Sequence, residues 1–419
     1  MSNRLTIGLF GFGVVGQGLH DIISTTDLNI EIKKIVIKDP SKSRSLNESL
    51  FSTDASEILS NPDINTVVEL INDADAAFQI TTSALKSGKN VVSANKKMIA
   101  EHLDELVALQ QEYGTSLLYE GAVCGSIPII RNLEEYYDNE LLHSISGIFN
   151  GSSNYILSKI ANEGLEYFEA LKQAQDLGFA ETDPLLDVGG YDAKFKLLIA
   201  AAHAYGSFVK PEEVLNMGIQ NFSIADLHFA QEHKLKIKLV PTAKKLDDKE
   251  IALYVIPRLV PKSDFLYNVE NEYNAVSVKA AFADQQLFYG KGAGGHPTGS
   301  AVLSDIAALR YDYRYEYKKY HNDSKLKLQN DHVLPVYLRY KSDDLLDLLS
   351  FDFIAEQHKS VELKYVLGGI KINELIAKKE LIENDGAFIA QAGALTGKFE
   401  ELTKLKFNNT ESRIKAKEH

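Results

Sequence analysis

The sequence predicts an α/β protein. It reads as a parallel-sheet domain at the N-terminus, a mixed α+β domain after it, and a small α+β module near the C-terminal end. Three observations carry that reading. Short apolar runs alternate with helical patterns through the first third. A Gly-x-Gly-x-x-Gly turn joins the first strand to the first helix. From about residue 236, strand-length runs dominate. Strand–helix alternation implies right-handed crossovers and a parallel sheet covered on both faces.

In order, strands are expected at 5–10, 30–37, 66–71, 90–93 and 117–119, with helices over 14–24, 74–87 and 102–113. Another helix is expected over 127–137, with Pro128 in its first turn, where the missing N–H costs nothing. A strand at 141–149 then leads to helical stretches near 153–163, 167–177 and 191–205. Strands follow at 236–241, 251–260, 275–283 and 285–289, and GKGAGGHPTGS (290–300) opens a helix reaching about residue 310. A polar, Tyr- and Lys-rich stretch reads as a linker, and VLPVYLRY (333–340) opens the last module. The expected domains are 1–135, 136–310 with the 290–310 helix returning to the first, a linker at 311–331, a module at 332–406 and a flexible tail at 407–419.

Composition narrows the function. The chain has 419 residues, 25% of them charged and 45% hydrophobic, which suits two or three ordinary globular domains. A net charge of −13 provides no general basic field for nucleic acid. One cysteine, Cys124, allows neither an internal disulfide nor a Cys/His metal cluster. The N-terminus enters a strand at once, and no run approaches the ~20 apolar residues of a membrane span. The expectation is a soluble, cytoplasmic protein.

Gly11-Phe12-Gly13-Val14-Val15-Gly16 fits a dinucleotide fingerprint between strand and helix. The first glycine permits the turn, the second lets backbone approach a pyrophosphate, and the third lets helix pack on sheet. The helix N-terminus adds free N–H groups and a positive dipole end. Asp39 lies 23 positions after Gly16, where an acid would bond ribose hydroxyls, yet Lys38, Lys42 and Arg44 surround it. The balance leans to NADP, with NAD use open.

The stretch AQDLGFAETDPLLDVGGYDAKFK (174–196) gathers Glu181, Asp183, Asp187, Asp192, Lys194 and Lys196 around Gly189 and Gly190. Asp192 and Lys196 are four apart on one predicted helix, so they share a face. By pattern alone, a surface ion pair explains them better than a catalytic pair does.

At these residues the chain resembles the homoserine dehydrogenases. The resemblance covers nearly all of 1–310: GFGVVG, SANK (93–96), GAVCGSIPII (121–130), GIFNGSSNYIL (147–157), the acidic stretch, and GKGAGGHPTGSAVLSDI (290–306). It implies NAD(P)-dependent interconversion of L-homoserine and L-aspartate 4-semialdehyde, on the route to threonine, methionine and isoleucine. The same resemblance implies a Rossmann-type cofactor domain, a substrate domain that also dimerises, and a C-terminal ACT-like βαββαβ module. Residue by residue, it makes Lys196 the proton-transferring lysine, Lys96 a second lysine near cofactor and substrate, and Asp192 the orienting acid. Glu181 would hold the α-ammonium group with Asp187 nearby, and Gly151 and Ser152 would line the substrate site. Asn72 and Gly294 would join Gly11–Gly16, Lys38 and Lys96 around the cofactor. A structural monovalent cation, sodium by analogy, would sit on Glu120, Val123, Gly125 and Ile127.

Some features depart from the family pattern. Phe179 stands where many relatives have tyrosine, and Asn72-Asp73 replaces a glycine pair. The Asp-x-Pro-Gly turn expected after the module's first strand reads KSDDLLDLLSFDF instead, so the module is expected to serve packing or assembly rather than threonine feedback. Two rival readings are set against the dehydrogenase. Cys124, ahead of a helix start, is a thiol nucleophile of an acylating enzyme in one; a non-catalytic nucleotide sensor is the other. Retention of Lys96, Glu181, Asp192 and Lys196 together argues against the sensor. His143, His203 and His296 are read as core or loop hydrogen bonders.

Overall fold

The computed structural model describes residues 4–44, 46–138, 141–321, 326–395 and 397. The expected tail at 407–419, and the end of the expected module, lie outside the described residues. The chain opens with β1 (Leu5–Phe10), α1 (Val14–Ser24), β2 (Ile30–Val36), β3 (Phe51–Ser52) and α2 (Ser56–Leu59). It continues through β4 (Thr66–Glu69), α3 (Ala74–Lys86), β5 (Asn90–Ser93), α4 (Lys96–Tyr113) and β6 (Leu117–Leu118). Next come β7 (Leu142–Ile148), α5 (Gly151–Glu163), α6 (Tyr167–Asp176), α7 (Leu185–Val188) and α8 (Tyr191–Tyr205). After β8 (Leu215–Asn216) and α9 (Ile224–Glu232) run the long strands β9 (Leu235–Lys245) and β10 (Glu250–Pro261). The hairpin β11 (Tyr273–Ala280) and β12 (Asp284–Lys291) precedes α10 (Gly295–Leu309), α11 (Lys318–His321) and β13 (Lys327–Leu328). The last described part holds β14 (Val333–Arg339), α12 (Asp343–Leu348), β15 (Phe353–Lys359), β16 (Lys364–Lys371), α13 (Ile372–Ala377), α14 (Lys379–Asn384) and β17 (Phe388–Gln391).

These elements form two compact units. The first takes Met1–Ile145, Phe195–Glu213 and Tyr273–Lys327; the second takes Ser146–Lys194, Val214–Glu272 and Leu328–His419. Each unit is assembled from three separate stretches, so long-range packing rather than chain neighbourhood defines it.

The first unit holds a six-stranded sheet in the order β3-β2-β1-β4-β5-β6. Its strand pairs are parallel. That order is the doubly wound one of dinucleotide-binding folds. Ile7, Leu9, Val67, Val68, Val91 and Val92 are fully buried, as expected of parallel strands covered on both faces. Helix α10 packs closely on α1: a Cβ on Gly18 would lie 2.3 Å from the Gly295 carbonyl carbon, and one on Gly299 would lie 2.8 Å from the Leu19 nitrogen.

Three sequence expectations change here. Helix α4 begins at Lys96 rather than 102, because Asn95 caps it by accepting from Met98 N; the non-helical φ of −126° at His102 breaks the periodicity. Over 127–137 there is a wide π-type turn, Asn132–Tyr136, in place of a regular helix. The supposed linker, in its described part, is no exposed spacer. Tyr315 and Tyr317 are buried, and the Tyr317 hydroxyl lies 2.6 Å from that of Tyr119. Aromatic rings, not the polar residues between them, decide how this stretch packs.

The second unit carries helices α5 and α6 and a sheet running β9-β10-β17-β14-β16-β15, with β8 also on β10. Residues from β14 onward trace βαββαβ. Their strands lie in the order β17-β14-β16-β15, all antiparallel, with the second helix broken into α13 and α14. This module is not separately cored. Leu334, Val336, Leu338, Ile370 and Ile389 pack with Leu215, Met217, Tyr254 and Ile256 in one apolar cluster. No helix among the described residues is long and apolar enough to cross a membrane.

Candidate active site

The nucleotide turn is a backbone construction. Gly11 has φ +91°, and a Cβ there would lie 2.7 Å from the Leu70 carbonyl oxygen. A Cβ on Gly16 would lie 2.7 Å from the Gly11 oxygen. Gly13 differs: nothing lies within 4 Å of its Cβ position, so its open face is available to a ligand. Gly13 caps α1 and Gly294 caps α10, neither with a side chain, and Gly295 approaches the Val14 oxygen. Two helix starts with unspent N–H groups therefore meet in one unit, which suits an anionic pyrophosphate. Phe12 is buried while Val14 is exposed, and Val15 is half-buried.

Beyond β2, the Asp39 carboxylate accepts from Ser41 N and Ser41 Oγ, and these bonds hold its pKa below the usual value. Arg44 donates to the Asp39 carbonyl oxygen at 2.8 Å, and Lys38 is exposed. The acid that would read ribose hydroxyls is thus engaged in its own turn, among three cations.

At the ends of β4 and β5, fully buried Glu69 accepts from Ile71 N at 2.7 Å and Ser93 Oγ at 2.6 Å. Burial pushes its carboxyl up to about 7. Ser93 Oγ accepts from Asn95 N, and Asn95 Nδ2 donates to the Ile71 oxygen. This network sets half-buried Lys96 as the first residue of α4. Asn72 is exposed, and Asp73 caps α3 through Ala76 N.

In the second unit, Asn150 gathers the acids. Its Nδ2 donates to Asp187 Oδ1 at 2.7 Å and to Asp192 Oδ2 at 3.0 Å, while its Oδ1 accepts from Ser153 N at the start of α5. Asp192 is buried, Asp187 half-buried, and Glu181 exposed on the loop before them. Gly151 follows at α5's first position, where a Cβ would lie 2.6 Å from the Glu272 oxygen. Ser152 Oγ donates to the Phe179 oxygen, and the Phe179 ring packs on Tyr155 with centroids 4.9 Å apart.

Helix α8 carries Asp192 and Lys196 one turn apart, and Lys196 is 8% exposed. Lys194, between them, donates to Asn216 Oδ1 at 2.9 Å, and Asn216 Nδ2 bonds the Gly189 oxygen. Lys194 therefore helps hold the glycine bend.

His203 lies further along α8 in the core of the first unit. Its Nδ1 faces Glu134 and its Nε2 the Tyr119 hydroxyl, each at 2.8 Å. Burial works to raise the Glu134 carboxyl, but His203, the Tyr317 N–H and Lys319 together hold that group below its usual value. His143 is exposed on β7, and His296 is exposed 3.3 Å from Asp21.

Glu120, Val123, Gly125 and Ile127 lie in a single loop and all four are buried, with exposed Ser126 between the last two. Cys124 and Gly125 have φ of +55° and +54°, so the chain reverses there and turns successive carbonyls. The Glu120 carboxylate accepts from Ile130 N and Arg131 N, and Asp305 takes Glu120 N and the Arg131 guanidinium. Burial raises Glu120 to about 7 and Asp305 to about 6. Cys124 is fully buried, which is no place for a substrate-facing nucleophile.

Comparisons with known proteins bear on this arrangement. The homoserine dehydrogenase family profile matches residues 128–307, and the profile for the homoserine dehydrogenase NAD-binding domain matches 11–120. The chain belongs to the homoserine dehydrogenase family. It is 36% identical over 320 residues to the Bacillus subtilis homoserine dehydrogenase, covering 74% of each chain. A solved Thiobacillus denitrificans homoserine dehydrogenase superposes with a TM-score of 0.79 at 28% identity, over 93% of this chain and 98% of that one. A hyperthermophilic archaeal homoserine dehydrogenase in complex with NADPH gives 0.64 at 26% identity, over 75% and 99%. Family membership makes this an NAD(P)-dependent oxidoreductase built on a Rossmann-type sheet. Two residues of the arrangement, Asn150 and Glu69, are given no role by the sequence, although Asn150 lies within GIFNGSSNYIL. Asn150 had a signal, an asparagine directly before a helical run, but Glu69 reads as one more strand residue.

Proposed function

We propose that the protein interconverts L-homoserine and L-aspartate 4-semialdehyde in the cytoplasm, with NADP preferred over NAD. The observation that carries the reading is the clustering of Asp187 and Asp192 on one amide, in a chain whose glycine turn suits a dinucleotide. A nicotinamide cofactor held by this turn would supply the hydride chemistry that interconverts the semialdehyde and homoserine at the substrate's terminal carbon. Lys196 gives the proton to the substrate oxygen in reduction and removes it in oxidation. Asp192 orients Lys196 and bonds the substrate hydroxyl, while Glu181 and Asp187 hold the α-ammonium group. Gly151 and Ser152 line the amino-acid site, and Lys96 stands near both substrate and cofactor.

Gly11, Phe12, Gly13, Val14, Val15, Gly16, Asn72 and Gly294 would form the cofactor cradle. Lys38 would face a 2′-phosphate, a choice supported by the engagement of Asp39 with Ser41. Backbone oxygens of Glu120, Val123, Gly125 and Ile127 would hold a monovalent cation, sodium by analogy. The two left-handed residues in that loop support this reading. The βαββαβ module is assigned an ACT-like role in assembly of a homodimer or higher homo-oligomer, rather than threonine feedback. Its core shared with β8 and β10 favours a structural part.

The test is reductive. Purified protein is mixed with aspartate semialdehyde and NADPH or NADH, and loss of reduced-nicotinamide absorbance is followed. Oxidation that needs the semialdehyde and yields homoserine supports the reaction, and the ratio of rates tests the cofactor preference. Nucleotide binding without turnover would revive the sensor reading.

A further inference from the structure

Asn150 has both ends of its amide committed, and the two commitments fix its orientation. Nδ2 has two hydrogens and two carboxylate acceptors, Asp187 Oδ1 and Asp192 Oδ2. Oδ1 accepts from Ser153 N at 2.8 Å as the N-cap of α5. A flipped amide would set its oxygen against two carboxylates and its NH2 against an N–H, so only one orientation is compatible with its neighbours. Asn150 is 5% exposed, which makes each of these bonds costly to lose.

The helix that carries this amide is itself anchored. One turn on, Asn154 Nδ2 donates to the Asn271 oxygen at 2.8 Å and the Val269 oxygen at 3.2 Å. Buried Lys238 donates to Asn154 Oδ1 at 3.1 Å and to the Val269 oxygen at 2.6 Å. Gly151 abuts the Glu272 oxygen so closely that no side chain fits. The first turn of α5 is therefore pinned to residues 269–272. The amide it presents has little freedom to follow the carboxylates, which must come to it.

We infer that Asn150 is a positioning residue for the proposed reaction: its single amide sets the separation and aim of Asp187 and Asp192, so that an amino-acid substrate meets both in one fixed arrangement. Two neighbouring carboxylates repel each other, and without a shared donor each would turn to whatever else it could reach. Aspartate, serine and asparagine all cap helices. Only asparagine among them caps while donating two hydrogens to acids, which explains this residue type here. The inference rests on the reading of Asp187 and Asp192 as substrate-facing groups.

The experiment compares Asn150→Asp and Asn150→Ser with wild type in homoserine oxidation, with thermal melting and NADPH binding followed by nucleotide fluorescence. Both substitutions keep the cap, so Tm should stay within a few degrees for Asn150→Ser and fall further for Asn150→Asp, which sets a third buried carboxylate beside two others. Asn150→Asp loses both donors and adds a third carboxylate. Its kcat/KM for homoserine should fall about a hundredfold, with NADPH affinity within about twofold of wild type. Asn150→Ser keeps one donor and should fall about tenfold, a partial rescue that a purely structural role would not produce. Changes under threefold in both variants would overturn the inference, as would equal losses for homoserine and NADPH. Should the Asp variant not fold, the Ser variant is judged by the same criteria. Absence of wild-type turnover would count against the reaction itself, whereas normal wild-type turnover with unaltered variants would sink only the role of Asn150.

Discussion

The nucleotide turn in the first unit and the acid cluster in the second are built from different materials. Around Gly11, Gly13 and Gly16 the work is done by backbone: one residue at φ +91°, two positions with no room for a Cβ, and one with open space in front of it. Around Asn150 it is done by side chains, three of them joined by two hydrogen bonds of 2.7 and 3.0 Å. A backbone site is damaged by adding atoms, and a side-chain site by removing or recharging them. The two should therefore fail separately, one in nucleotide affinity and the other in turnover or amino-acid affinity.

The largest expected effect tests that separation directly. Lys196→Ala should lower kcat by a hundredfold or more, within the ~10²–10⁴ range of general acid–base catalysis, while nucleotide binding survives. A variant that turns over normally would remove Lys196 from the proposed role. Glu181→Gln should come next. The loss of a charged hydrogen-bond acceptor should raise KM for homoserine about tenfold and leave KM for the nucleotide nearly unchanged. Equal rises in both would point to a structural part for this exposed residue.

The backbone side of the comparison is sharpened by Gly13→Ala. Free space at its Cβ position predicts an unchanged Tm but nucleotide affinity weakened about tenfold, read by fluorescence titration. Gly11→Ala should instead destabilise the protein, because its methyl group would meet the Leu70 oxygen at 2.7 Å. If both variants behave alike, the distinction between the glycines fails.

The smallest effect concerns Glu69, whose carboxyl burial raises from 4.5 to about 7. Between those values it is protonated when folded and ionised when unfolded, so wild-type stability falls as pH rises through that window. Above about 7 the folded protein carries the full cost of an ionised buried group, on the order of 1–3 kcal/mol. Glu69→Gln carries no such charge. Relative to wild type it should gain Tm between pH 5 and pH 8; a constant difference across that range would disprove the buried-acid account.

Legibility followed the same division. The parallel sheet was readable because β1, β4 and β5 are short apolar runs separated by helical periods. The glycine turn was readable because φ near +91° leaves few choices of residue. Helix α8 appears at 191–205 as expected, since its pattern is long and starts after two glycines. The helix expected over 127–137 was not safe to read from pattern. Its start depends on the Glu120 carboxylate, ten residues away, taking the N–H groups of Ile130 and Arg131. The stretch around Tyr315 and Tyr317 looked like a linker because its polar residues outnumber its aromatic ones, yet burial follows the aromatic rings.

The fold class and the cofactor turn are legible in the sequence because both rest on local rules, period and backbone conformation. The acidic and lysine residues of the proposed site rest on the family resemblance, since their spacing along one helix suits a surface ion pair as well. Only the tertiary structure decided that residues 195–213 pack with the N-terminal unit. It also decided that Lys194 holds a bend, and that one asparagine joins acids 37 and 42 residues away. Such partners are chosen by burial, where an unpaired polar group is too costly to leave, and burial has no signature in a short stretch of sequence.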